Sequence, residues 1–194
     1  MVNLKIVQAG HPVLRTKARD LSVAEIKSGE IKQILALMCD TMRDAPGVGL
    51  AAPQIGIPLR MAVIEDVAEL SDESRKTRER ELVPFHVIIN PVLELIAGET
   101  IEFYEGCLSL DGFMALVPRA RKVRVKALNE KAQPVTIEAS GWYARILQHE
   151  IDHLDGTMYI DRMHTRTLCT NDCMDRYGVL DPRLVHEALP LPPE

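Results

Sequence analysis

The chain has 194 residues, 46% of them hydrophobic and 26% charged, with a formal net charge of −5. That length and composition suit one folded domain with a sizeable core and exclude a disordered chain. The acidic balance, with Lys and Arg mixed among acids, excludes a general nucleic-acid binder, which needs clustered cations to track a phosphate backbone. Residues 1–10 lack the apolar run and cleavage site of a secretory signal, and no later stretch approaches membrane-spanning length, so a soluble intracellular protein without membrane contact is expected. The four cysteines, Cys39, Cys107, Cys169 and Cys173, are irregularly spaced. No disulfide framework is expected of them, and at least one should serve through its thiolate.

Residues 1–20 read as an irregular or extended arm. Ser22 and Glu25 form a capping box that starts a short helical turn. Apolar residues then recur at Ile31, Ile34, Leu35, Met38 and Met42, spacings of three and four that predict a helix of about three turns, with Cys39 packed beside its buried face. Asp44-Ala45-Pro46-Gly47 ends it. The following Gly47-Val48-Gly49-Leu50-Ala51-Ala52 has the outline of a dinucleotide-binding fingerprint, but it follows a helix and runs into Pro53, whereas that fingerprint follows a strand and opens a helix. The segment is better read as a close-packed loop or strand whose backbone approaches something.

Residues 59–67 alternate as a strand, and the mixed charges of 69–81 predict a solvated loop or exposed helix. A buried strand is expected over 86–90, closed by Pro91 and continuing past a bulge over 92–96, with His86 at its end. After the extended residues 100–104, Val123, Val125 and Ala127 alternate with Arg124 and Lys126 as a half-exposed strand. The turn at 129–133 and the return at 135–139 complete a hairpin. Ser140 is placed to N-cap a helix that buries Trp142, Ile146 and Leu154 and stops at Gly156. No internal repeat and no second domain are evident.

That last helix carries Gln148-His149-Glu150-Ile151-Asp152-His153. Positions four apart share a helix face, so His149 and His153 can offer nitrogens to one metal ion, with Glu150 beside it to handle the protons of an activated water. A surface helix with two solvated histidines is the bland alternative. A catalytic site of this kind needs a third protein ligand. A protease pattern would put a histidine at position 159, where the chain has Tyr159; His164 stands in an irregular stretch, and Cys169 and Cys173 have no second pair for a structural zinc. Cys107, between Gly106 and Leu108 and outside any core periodicity, is the better candidate, its alternative being a small buried hydrophobe.

Three stretches together carry a resemblance. Gly47-Val48-Gly49-Leu50-Ala51-Ala52-Pro53-Gln54, Glu105-Gly106-Cys107-Leu108-Ser109 and the His149–His153 motif resemble, in order and spacing, the signature motifs of peptide deformylases. The resemblance runs from about His11 to about Met163, and Asp111-Gly112-Phe113 and Ser140-Gly141-Trp142 are most similar to type 1 members, which include plant and animal mitochondrial enzymes. It implies an α+β fold in which antiparallel strands surround a central helix bearing the histidines, with residues 1–165 as one catalytic domain; residues 166–194, which the resemblance does not reach, are read from the sequence as a tail, partly helical and then frayed. It implies removal of the formyl group from the N-terminal formyl-methionine of new proteins, in the bacterial cytoplasm or a mature organellar form. By resemblance, Cys107, His149 and His153 are the metal ligands and Glu150 the general acid and base. Gln54 and the Leu108 N–H stabilise the oxyanion, and a Glu105–Arg119 ion pair supports the ligands. One divalent metal is implied, iron(II) in the native enzyme, with zinc, nickel or cobalt able to substitute.

Gly47, Gly49, Gly106 and Leu108 leave backbone open for a substrate added as a strand, and Val48, Trp142 and Ile146 would enclose the methionine side chain. Met114 stands where many bacterial members carry an Arg, so the resemblance carries over no preference beyond the first substrate residue. Implied partners are N-formylmethionyl peptides and a transient contact with the ribosome, the chain being a monomer or homodimer. An aminopeptidase or endopeptidase is the rival enzyme; a catalytically silent metal-binding or ribosome-associated module is the rival of another class. Cys107 speaks against the first and Glu150 against the second.

Overall fold

The computed structural model describes residues 4–67 and 72–177. Its elements in chain order are α1 (Val23–Ile26), α2 (Gly29–Asp44), β1 (Gly49–Ala51), β2 (Met61–Asp66), α3 (Asp72–Thr77), β3 (Val83–Leu95), β4 (Thr100–Cys107), β5 (Leu110–Ala120), β6 (Lys122–Leu128), β7 (Pro134–Ser140), α4 (Gly141–Leu154), β8 (Cys169–Thr170) and α5 (Asn171–Tyr177). Strands run β1-β2-β3-β6-β7 in one sheet and β4-β5-β8 in a second, and every pair is antiparallel. The fold is α+β, as expected.

Strand β2 shows how the larger sheet is held. It is apolar from Met61 to Ile64 because it is covered on both faces: Ala62 and Ile64 meet α4, while Met61 and Val63 meet α2. Strand β6 is covered on one face only, so Val123, Val125 and Ala127 are buried and Arg124 pairs outward with Glu138. Helix α4 lies between the two sheets. Gln148 fastens it to the end of β5, accepting from Ala120 N and donating to Ala120 O at 3.1 and 2.9 Å.

Several expectations are refined. The Ser22–Glu25 capping box is present, but Ser28 then caps a separate helix of 16 residues, longer than the apolar spacing alone indicated. Strand β3 starts at Val83, so His86 lies inside it, and its register shifts between Ile89 and Val92 as the expected bulge. Ser140 occupies the N-cap position of α4 without a capping side-chain bond, and Trp142 is only partly buried, because the helix begins at the mouth of a cleft. Gly156 ends α4 at φ 75°. The 11-residue β5 was not foreseen, since Pro118 and Gly112 interrupt its apolar pattern. Residues 178–194, including the end expected to fray, and residues 68–71 of the charged stretch lie outside the described residues.

Candidate active site

The β4–β5 turn and α4 bring Cys107, His149 and His153 together. Their ligand atoms, one from each residue, all lie within 4.8 Å of one another, and Cys107 Sγ is 3.2 Å from His153 Nε2. Bonds of about 2.3 Å from sulfur and about 2.0–2.1 Å from nitrogen, arranged tetrahedrally, put ligand atoms between roughly 3 and 4 Å apart. The Cys107–His153 distance lies in that range and the 4.8 Å bound on the whole set lies just beyond it, so the three side chains could hold one divalent ion. His149 Nδ1 is 3.0 Å from Glu105 Oε2, which turns its Nε2 away from Glu105. The alternative of two solvated histidines is removed, because His153 is 1% exposed and the His149 ring stacks on Tyr159.

Glu105 anchors this arrangement. It is 4% exposed and accepts two bonds of 2.9 Å from Arg119, one of 2.5 Å from Arg145, and the His149 bond. Arg119 continues to Asp152, which also takes two 2.7 Å bonds from Arg162. Burial raises the Glu105 pKa, but His149 and Arg119 outweigh it and hold the carboxyl well below the usual range. His149 is pushed up, burial opposing while Cys107 and Glu105 raise it; His153 is pushed down by burial and by the neighbouring His149. Arg145, Asp152 and Arg162 were not foreseen in these roles. A signal existed for Arg145, which lies one helical turn before His149 on the same face.

Glu150 has the opposite environment. It is 4% exposed, its Oε2 has no hydrogen-bond partner among the described residues, and burial lifts its pKa to about 7. Strand β1 passes close to it: a Cβ built on Gly49 would sit 2.6 Å from the Glu150 carboxyl carbon. That is what the glycine-bearing segment approaches. Gln54 Oε1 accepts from Ala51 N at 2.8 Å, which fixes the amide so that Nε2 faces Cys107 Sγ at 3.6 Å.

These groups lie in a cleft of about 630 Å³ whose wall includes Gly47, Val48, Gly49, Gly106, Leu108, Trp142 and Ile146. Both flanking strands are sheet edges, β1 in the larger sheet and β4 in the smaller. Met114 pairs in register with Gly106 and faces the same cleft. Tyr159 is not among the clustered ligand atoms; its hydroxyl donates to Phe113 O at 3.2 Å. His164 pairs with Glu102, and His86 with the Tyr143 hydroxyl. Cys169 reaches Met114 O, and Cys39 is buried on α2, as expected.

Residues 3–168 match the family model described as polypeptide deformylase. The chain is 49% identical over 174 residues to the chloroplastic peptide deformylase 1A of Solanum lycopersicum, covering 88% of this chain and 63% of that protein. It thus spans less than two thirds of that plant relative. It is 46% identical over 187 residues to peptide deformylase 1 of Streptomyces coelicolor, covering 96% of this chain and 85% of the relative. The Met-Ala-Ser-bound class I type b peptide deformylase of Acinetobacter baumannii superposes with a TM-score of 0.76 at 31% identity, over 84% of this chain and 99% of the other.

Proposed function

The chain belongs to the polypeptide deformylase family, and on that premise we propose that it hydrolyses the formyl group from the N-terminal formyl-methionine of newly made peptides. The observation that carries this reading is the convergence of Cys107, His149 and His153 beside the buried, unpaired carboxylate of Glu150. Cys107, His149 and His153 would hold one divalent ion, with Glu105 orienting His149. Such an ion supplies Lewis acidity, lowering the pKa of a water towards neutrality and polarising a carbonyl.

The chain's own groups do the rest. Glu150 takes the proton of the attacking water as its oxygen bonds to the formyl carbon. When the C–N bond breaks, Glu150 passes that proton to the departing amine, leaving formate and a free N-terminus. Gln54 Nε2 and the Leu108 N–H are neutral donors suited to the oxyanion, one such donor being worth about 3 kcal/mol. The substrate adds as a strand between the edges beside Gly47 and Gly49 and beside Gly106 and Leu108. Val48, Trp142 and Ile146 enclose the methionine side chain.

The native ion is proposed to be iron(II), set by availability in the cell, since one thiolate and two imidazoles also suit zinc, nickel and cobalt. The catalytic unit is proposed to span residues 1–165, acting in the bacterial cytoplasm or as a mature organellar form. Incubation of the metal-loaded protein with formyl-Met-Ala-Ser, acetyl-Met-Ala-Ser and Met-Ala-Ser tests the reading. Formate should be released from the first, and the other two should stay intact. Trimming of Met-Ala-Ser would establish the aminopeptidase instead, and no turnover of any peptide would establish the silent module.

A further inference from the structure

Cys107 ends β4, and Leu108 and Ser109 form a two-residue turn before Leu110 pairs back with Cys107. The peptide unit joining Leu108 to Ser109 is trans, so its carbonyl and its N–H point in opposite directions. The N–H donates to Cys107 Sγ at 3.4 Å. Gln54 Nε2, 3.6 Å from the same sulfur, is the group assigned to the oxyanion; the Ser109 N–H has no such second task.

The carbonyl end of that peptide unit is held from the N-terminal arm. Gln8 Nε2 donates to Leu108 O at 3.0 Å and Gln8 Oε1 accepts from Asp111 N at 3.4 Å, so the amide grips the turn through one donor and one acceptor. The two bonds together fix which end of the amide faces Leu108. The backbone on either side is anchored independently: Val7 N donates to Gln54 O at 2.8 Å, and Ala9 N to Ser109 O at 2.7 Å. Gln8 itself is exposed and lines the cleft, so its replacement removes the grip without disturbing the core.

With Leu108 O pinned, any rotation of the peptide unit that swings the Ser109 N–H off the sulfur also breaks the Gln8 bond. A hydrogen bond to a metal-binding side chain orients it and tunes its strength as a ligand. Resting on the proposed assignment of Cys107 as a ligand, we propose that Gln8 is a positioning residue for the metal centre: its side-chain amide holds the Leu108–Ser109 peptide so that the Ser109 N–H donates to Cys107 Sγ. It acts through that peptide unit and not on the substrate.

The test uses the full chain loaded with cobalt(II), whose sulfur-to-metal charge-transfer band reads the electron density on Cys107. Gln8→Met keeps the length of the side chain and removes both of its bonds. The band should move to longer wavelength, because a sulfur without its N–H donor gives up an electron more easily. Cobalt affinity, measured against a competing chelator, should fall by about ten-fold, the lower end of the range for groups that support metal ligands. Gln8→Lys, which retains a donor for Leu108 O, should recover part of both changes, and Gln8→Glu, which retains only an acceptor, should recover neither. Thermal denaturation of the metal-free variants should match that of the unaltered protein. A band unmoved in Gln8→Met would overturn the assignment even where kcat on formyl-Met-Ala-Ser falls, since that fall alone would place Gln8 behind the Leu108 N–H. A metal-free Gln8→Met protein that melts early, with its band in place once loaded, would reduce Gln8 to a structural clamp. Those results leave deformylation standing. Absence of the charge-transfer band from the unaltered cobalt-loaded protein would remove Cys107 from the proposed ligands, and this inference with it.

Discussion

Gly49→Ala tests the fit between β1 and the proposed general base. A methyl at position 49 would lie 2.6 Å from the Glu150 carboxyl carbon and 2.8 Å from its Cγ, where ordinary contact begins at 3.4 Å. Position 49 needs no left-handed backbone, so Ala is tolerated conformationally and the strain falls on the side chain. Glu150 is 4% exposed and close-packed, and its Oε1 lies nearer still than the carboxyl carbon, so the carboxylate must retreat by about 1 Å, the misplacement that can cost a hundredfold in rate. We expect kcat on formyl-Met-Ala-Ser to fall by about 30- to 100-fold, or about 2–2.7 kcal/mol of transition-state stabilisation, with KM within about two-fold. Metal content should be unchanged, because no ligand atom is displaced, and overpacking should cost about 1–3 kcal/mol of stability. Formate release, elemental analysis and thermal denaturation read the three quantities. A folded, metal-loaded variant with kcat within about three-fold of the unaltered protein would refute the reasoning. A rise in KM alone would show that Gly49 serves the peptide backbone and not Glu150.

Glu150→Gln should retain the ion and lose at least about a hundredfold in kcat, since the amide has the size of the carboxylate but cannot carry the proton; turnover close to normal in the loaded variant would exclude the role. Cys107→Ala should lose metal affinity and, with it, thermal stability, because binding free energy is supplied only to the folded state; full occupancy by elemental analysis would eliminate Cys107 as a ligand. Glu105→Gln leaves Arg119 and Arg145 short of a buried counter-charge and should destabilise the fold by about 3–5 kcal/mol in denaturant unfolding. The same carboxylate has a folded-state pKa below its ordinary 4.5, so its stabilisation is complete above that value and is lost as pH falls through and below it. Acid unfolding of the unaltered protein should therefore show a pH dependence that Glu105→Gln lacks. The iron(II) form should lose activity in air during purification, while the nickel or cobalt form keeps it; an iron form fully active in air beside an equally fast zinc form would show the proposed metal to be wrong.

Local pattern made much of the architecture legible. The four-residue spacing of His149 and His153 places both on one helix face wherever the helix lies, and the Ser22–Glu25 box and the alternation of Val123, Val125 and Ala127 express equally short-range rules. The sequence also carried the outline of the site, because three motifs kept their order and spacing. Strand β5 stayed hidden because its pairing on both edges, with β4 and β8, overrides a pattern broken by Gly112 and Pro118. The second reason for Gly49 and the ion-pair chain from Arg162 to Arg145 both depend on segments far apart in the chain. Glu105 and Glu150 make the distinction plainest. As isolated side chains they titrate alike, and the motifs that suggest their roles do not contain what shifts their proton affinities. One is buried among Arg119, Arg145 and His149, which stabilise its charge, and the other against β1 with an oxygen left unpartnered, where burial opposes its charge. Opposite proton affinities follow from what tertiary packing sets beside each carboxylate, which the residue's own identity does not contain.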